Sequence, residues 1–252
     1  MGTPVLETIS RQKQYKYPYF FLGLYLTFLL STVCLANRIM QIGPMLEPGG
    51  IFVFPITFCI CDIVGEVYGY AYPRLFIWIG VLAEFIFSLI VIAVSHLPAP
   101  QFFNHVEAYQ IVFDPTIRYV GAGLAGLLVG ELANVYLLAK WKIFLKGKFF
   151  ILRSLFSTAF GQALLTIIVD ILNYSGKMTG HHLGWMMFCG YFWKMCSALI
   201  MVFPAWLLVK YLKKVENVDH YDIHTNFNPF MLSLNENKTD KKFSINTEFS
   251  PR

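Results

Sequence analysis

The chain has 252 residues, 56% of them hydrophobic and 14% charged, with a mean hydropathy of +0.55. A soluble domain carries about 25% charged residues, so this composition excludes an ordinary soluble enzyme or binding module and predicts a polytopic membrane protein in a lipid bilayer. The net charge of +5 does not point to nucleic acid, because the Lys and Arg residues lie in short connections between apolar runs and not on a soluble module.

Residues 1–17 are polar and carry Arg11, Lys13 and Lys16. Six apolar runs follow, at about 18–37, 49–71, 74–97, 117–140, 151–173 and 184–210. Each meets the requirement of about 20 residues for a spanning helix. The expected fold is therefore an all-α integral membrane protein, six transmembrane helices in one bundle spanning 18–214. Basic residues fix the expected orientation. The N-terminus, Arg74, the group Lys140, Lys142, Lys146, Lys148 and Arg153, and Lys210, Lys213 and Lys214 all fall on one side of a six-span chain; Arg38, Arg118 and Lys177 fall on the other. The basic side is expected to be cytoplasmic, with both termini there. The third connection, 96–117, holds three prolines and several aromatics and suits a short interfacial helix. Residues 215–252 are polar without an apolar period and read as a disordered cytoplasmic tail. The five cysteines lie inside apolar runs without a CxxC pair, and the adjacent His181 and His182 point apart, so no metal site or cofactor is expected.

Ionisable residues inside the runs are the candidates for function. A charge at the bilayer centre costs about 2.5–3.5 kcal/mol on insertion scales. Asp62, Glu66, Glu84, Glu131, Asp170 and Lys194 must therefore face protein, water or a ligand, and Lys194 suits an acid as partner. Asp62 and Glu66 are four residues apart and share one helix face, which suits a shared proton or a ligand with several N–H donors. Pro55 can kink their helix. Asp62 is the better candidate for ligand contact; Glu66, near the Tyr72-Pro73-Arg74 turn, suits an inner gate closed by Arg74 or Arg153. The fourth run places Glu131 and Asn134 on one face. Its Gly126 and Gly130 suit either an internal helix contact or a homodimer. The fifth run carries Ser154, Ser157, Thr158 and Gly161 on one side, with Gln162, Thr166 and Asp170 beside them. Asn37, Arg38 and Arg118 line an outer vestibule or anchor at headgroups. Phe54, Phe58 and Trp193 suit stacking on a flat heterocycle. Glu84 stands alone on an apolar run with no assigned role.

The run Phe54-Pro55-x-Thr57-Phe58-x-x-x-Asp62-x-x-x-Glu66-x-Tyr68-Gly69 resembles the signature of the queuosine precursor transporters, the vitamin uptake transporter family. Arg153-x-x-x-Ser157-Thr158-x-x-Gly161-Gln162 is similar to that family's second signature, and Lys194, Pro204 and Asn37 fit as well. The chain differs where the family typically has Gln-x-x-Asp, here Glu131-x-x-Asn134, and where an Asp usually follows the Gln by three, here Leu165. The resemblance implies import of the 7-deazapurines preQ0 or preQ1 across a bacterial inner membrane, without enzymatic activity. In that reading Asn37, Phe58, Asp62, Glu66, Glu131, Asn134, Gln162 and Lys194 bind substrate, and Arg74, Arg118, Arg153 and Asp170 serve gating or ion pairing. The alternatives are a substrate-capturing subunit of an ATP-driven importer and, less well supported, a membrane-embedded enzyme.

Overall fold

The computed structural model describes residues 15–43, 45–223, 225–232 and 234. Arg11, Lys13 and the tail from 235 onward lie outside the described residues. The element order is α1 (Pro18–Ala36), β1 (Ile39–Ile42), β2 (Met45–Pro48), α2 (Phe54–Tyr68), α3 (Ala71–Ser95), α4 (Val106–Phe113), α5 (Thr116–Phe144), α6 (Phe150–Tyr174) and α7 (Gly180–Glu216). Six helical segments are long and apolar enough to cross a membrane, as expected, and the protein is a multi-pass membrane protein. The short α4 occupies the third connection, where an interfacial helix is expected.

The first and last spans begin and end together. The backbone N–H groups of Lys16 and Tyr17 donate to Glu216 Oε1 at 2.7 and 3.3 Å. This end, which also bears the basic connections, is called the terminal face; the other, which bears β1 and β2, is the hairpin face. The 37 residues of α7 make a rod of about 55 Å at 1.5 Å per residue, longer than a hydrocarbon core of about 30 Å, so it projects beyond the apolar slab.

The second span differs from its expected form. An antiparallel hairpin, with Ile39 opposite Pro48 and Ile42 opposite Met45, precedes it. A 3-10 turn over Gly49–Phe52 then leads into α2. Pro55 lies in the first turn of α2, where the backbone N–H has no intrahelical acceptor and proline costs nothing. It starts a helix and does not kink one. The next reversal falls at Gly69 and Tyr70; Tyr72, Pro73 and Arg74 are already in α3. Gly69 adopts φ 89°, and a Cβ there would sit 2.8 Å from the His220 ring. α5 and α6 pack backbone against backbone: a Cβ on Gly130 would lie 2.6 Å from the Gly161 carbonyl oxygen. Gly126 likewise faces Val169 and Leu165 of α6, so this glycine row is spent inside the chain.

The polar composition after residue 214 predicts disorder, but α7 runs to Glu216 and the described residues beyond it form a strap across the terminal face. The Tyr70 N–H donates to both Asp222 oxygens at 3.1 Å, and Thr225 Oγ1 donates to Asp222 Oδ1 at 2.9 Å. Arg74 Nη1 donates to the carbonyls of Asn226 and Asn228 at 3.0 and 3.1 Å, and Trp78 Nε1 to that of Pro229 at 2.7 Å. Phe227 packs on Tyr70 and Tyr136 under the Lys140 ammonium, and Phe230 on Trp78. Hydropathy misses this strap because it is held by backbone carbonyls and isolated aromatics, which leave no period. Asp222→Ala strips the buried Tyr70 N–H of its acceptor. It is expected to cost about 1–3 kcal/mol, read as a lowered Tm in detergent and faster proteolysis within 217–232; an unchanged Tm argues against the strap as a structural element.

Candidate functional site

Four spans deliver the buried polar side chains to one region. α1 supplies Tyr25, α2 supplies Phe58, Asp62 and Glu66, α5 supplies Glu131 and Asn134, and α6 supplies Ser154, Thr158 and Gln162, all buried. The close approach at Gly130 and Gly161 brings Gln162 to the level of Glu131 and Asn134. Gly161 also abuts Asn134 Cβ and the Phe58 ring.

Asp62 and Glu66 share a helix face, but each carboxylate has its own partners. Asp62 accepts only from neutral donors: Asn134 Nδ2 at 2.7 Å, Thr158 Oγ1 at 3.2 Å, and Ser154 Oγ in a short hydrogen bond. An ionised carboxylate only accepts, so the NH2 of Asn134 must face it. Asn134 Oδ1 is thereby turned away and has no partner. Asp62 thus orients Asn134, and its two oxygens are engaged by these three donors. Glu131 Oε2 accepts from the Tyr25 hydroxyl at 2.6 Å, while its Oε1 is buried without a partner. Gln162 is fully buried, and neither its Oε1 nor its Nε2 has a partner. Buried polar atoms are nearly always paired. Three acceptors and one donor without a hydrogen-bond partner thus lie in this one region.

Glu66 is satisfied by cations. Arg153 Nη1 lies 2.9 Å from Oε2 and Lys213 Nζ 2.7 Å from Oε1. Lys142 Nζ lies 3.8 Å from Oε1 and donates to the Glu66 carbonyl at 2.6 Å. Asp219 of the strap bridges Lys142 and Lys213 at 2.7 and 2.9 Å. Two acids and three bases thus close the terminal face beneath Asp62. Of the two arginines expected beside Glu66, Arg153 is there; Arg74 serves the strap. Partial burial alone would raise the Asp219 carboxyl, but the two ammonium groups hold it below its ordinary value of 3.8.

The remaining candidates lie toward the hairpin face. Asn37 caps the end of α1 and donates to the Val112 carbonyl and to Thr116 Oγ1, tying α1 to α4 and α5. Arg118 is exposed and donates to the Leu172 carbonyl at 3.3 Å. Neither is brought to the polar region. Lys194 Nζ donates to Thr166 Oγ1 at 2.8 Å, in the field of Asp170 and of Glu47 on β2, and does not balance Asp62 or Glu131. A cavity of about 140 Å³ opens between these groups and the polar region. Leu29, Phe54, Glu84, Leu127, Leu165 and Lys194 are among its walls. Leu127 and Leu165 are one turn from Glu131 and Gln162, and Phe54 packs edge-on against Phe58.

A family described as "Putative vitamin uptake transporter" matches residues 48–209, more than half of the chain. The chain belongs to this vitamin uptake transporter family. The match runs from the hairpin to the last third of α7 and includes the motif residues Phe54 to Gly69, so the resemblance to the queuosine precursor transporters holds at the level of the family. No curated protein and no solved structure matches.

Sequence reasoning missed four residues of this transporter's site. Lys142 follows Asn134 at twice the helical spacing of four, a signal that it continues the polar face; its place in a basic connection made it look like a topology marker. Lys213, Asp219 and Tyr25 carry no such local sign.

Glu66→Gln leaves Lys142, Lys213 and Arg153 with too little negative charge, a loss of about 3–5 kcal/mol for a broken buried pair. A double-mutant cycle with Arg153→Gln, read by thermal unfolding in detergent, is expected to return a coupling energy of about 0.5–3 kcal/mol; additive losses contradict the pairing. Because the Asp219 value is lowered on folding, its contribution is full above the ordinary carboxylate value and lost only as pH falls through the lower folded value. Proteolysis of the strap should therefore be constant across neutral pH and rise only in strong acid. A release between pH 6 and 8 contradicts this latch.

Proposed function

We propose that the protein imports a queuosine precursor, the 7-deazapurine preQ0 or preQ1, across a bacterial inner membrane, and that it acts without enzymatic chemistry as a secondary transporter or facilitator. Membership of the vitamin uptake transporter family supports membrane transport. The substrate rests on one observation: the buried, unpartnered set of Glu131 Oε1, Asn134 Oδ1 and both amide atoms of Gln162. A 2-aminopyrimidin-4-one edge carries neighbouring N–H donors and one carbonyl acceptor. Glu131 and Asn134 supply acceptors for the donors, with a charge-assisted bond at Glu131; the Gln162 NH2 supplies the donor for the carbonyl. Phe54 and Phe58 offer faces and edges for a flat ring. The adjoining cavity of about 140 Å³ gives room beside the polar region for part of such a ligand. The cavity lies on the hairpin side of the polar region, while the Glu66 cluster and strap seal the terminal side. Substrate therefore enters from the hairpin face, and the terminal face must open for release.

The test is cellular and then biochemical. Deletion of the gene in a host lacking deazapurine synthesis should abolish tRNA queuosine at limiting preQ0 or preQ1. The purified protein alone in vesicles should accumulate the labelled compound. Queuosine that persists unchanged, together with absent vesicle uptake, rejects the substrate; uptake only with an added ATPase partner would assign the protein to substrate capture. Gln162→Ala should weaken binding about tenfold or more, since it removes a buried hydrogen-bonding amide.

A further inference from the structure

Glu84 has no role in the arrangement described so far. It lies one turn beyond Gly80 on α3, where Gly80 abuts the Tyr25 ring, and it is 6% exposed. Its carboxylate forms part of the wall of the 140 Å³ cavity, and Oε1 stands 3.5 Å from where a Cβ on Gly123 would be. Among the described residues, no hydrogen bond or ion pair engages that carboxylate; the Ser88 hydroxyl reaches only the Glu84 backbone carbonyl, at 2.7 Å. The same cavity is lined by Asn173, whose Oδ1 is also buried and unpartnered. The cation in the wall, Lys194, is engaged away from Glu84, by Thr166 and the field of Asp170 and Glu47. The rest of the lining is largely apolar, from Leu29, Phe54, Leu127 and Leu165.

A buried carboxylate without a partner is expensive, and Glu84 in the wall of this largely apolar space, with Asn173 beside it, calls for a donor that brings positive charge. We propose that this cavity receives an alkylammonium substituent of the ligand and that Glu84 is the residue that reads it. This rests on the substrate reading above. With the 2-amino edge against Glu131, Asn134 and Gln162, the five-membered ring of a 7-deazapurine points toward the cavity one turn away, and its 7-substituent enters it. A 7-aminomethyl group carries an ammonium that pairs with Glu84 and donates to Asn173 Oδ1. A 7-cyano group offers neither charge nor N–H. Glu84 thus sets the preference for preQ1 over preQ0, while the polar region binds the edge that both share.

The experiment is calorimetric titration of preQ1 and preQ0 into the full-length protein in lipid nanodiscs. Glu84→Gln is expected to weaken preQ1 about tenfold to a hundredfold, the range of a charge-assisted hydrogen bond, and to leave preQ0 within about twofold. Glu84→Asp, which keeps the charge on a shorter stem, should keep part of the preference and serves as the second variant if Glu84→Gln does not fold. Equal loss for both ligands, or no loss for either, overturns the proposal. So does a variant that binds both normally but loses uptake, which would assign Glu84 to the coupling ion. If the unmodified protein binds neither compound, the substrate reading itself has failed and this inference falls with it. If it binds both and Glu84→Gln changes neither, the substrate reading stands and only the role of Glu84 is lost.

Discussion

The structure depends on one electrostatic constraint: Glu66, buried at the terminal end of α2, must be neutralised by cations that no neighbour in sequence can supply. Arg153 comes from α6, Lys142 from α5 and Lys213 from α7, and Asp219 returns from the strap to offset the excess positive charge. Four parts of the chain are drawn to one carboxylate. A surface ion pair is worth little, but a buried one is costly to break. The cluster therefore defines which helices meet at the terminal face.

Above this closed end the logic reverses. Asp62 is saturated by an amide and two hydroxyls, with no cation in direct contact. Its effect is geometric: by holding the Asn134 NH2 it aims the carbonyl oxygen the other way. The exchanged acid and amide in α5, Glu131-x-x-Asn134 instead of Gln-x-x-Asp, keep one carboxylate and one amide in the region while moving the carboxylate one turn toward the hairpin face. The unpartnered acceptors lie on Glu131, Asn134 and Gln162 and not on Asp62.

Much of the bundle was legible in the sequence because a membrane span is specified by composition over about 20 residues. The six runs needed no knowledge of partners, and neither did the shared face of Glu131 and Asn134. What escaped was specified by pairing across long separations. The hairpin at 39–48 has too few residues for a period. Pro55 gave the wrong sign because a proline's effect depends on where the helix starts, and the 3-10 turn that delays that start leaves no mark in hydropathy. Asp62 and Glu66 were correctly placed on one face, yet their partners, Asn134 and Ser154 for one and Lys213 for the other, come from distant parts of the chain. The strap from 217 is polar in composition and looked unstructured; its order is conferred by Tyr70, Arg74 and Trp78 on the bundle.

The Glu66 cluster also bears on how the protein is made. α2 precedes all of its compensating charges in the chain: Lys142 and Arg153 come with later spans, then Lys213 and Asp219. Until then the helix carries two acids at a cost of about 2.5–3.5 kcal/mol each if exposed to hydrocarbon. The 3-10 turn and α2 together give it a 20-residue apolar span with which to offset them. Its placement across the bilayer therefore rests on charges that α5, α6, α7 and the strap contribute.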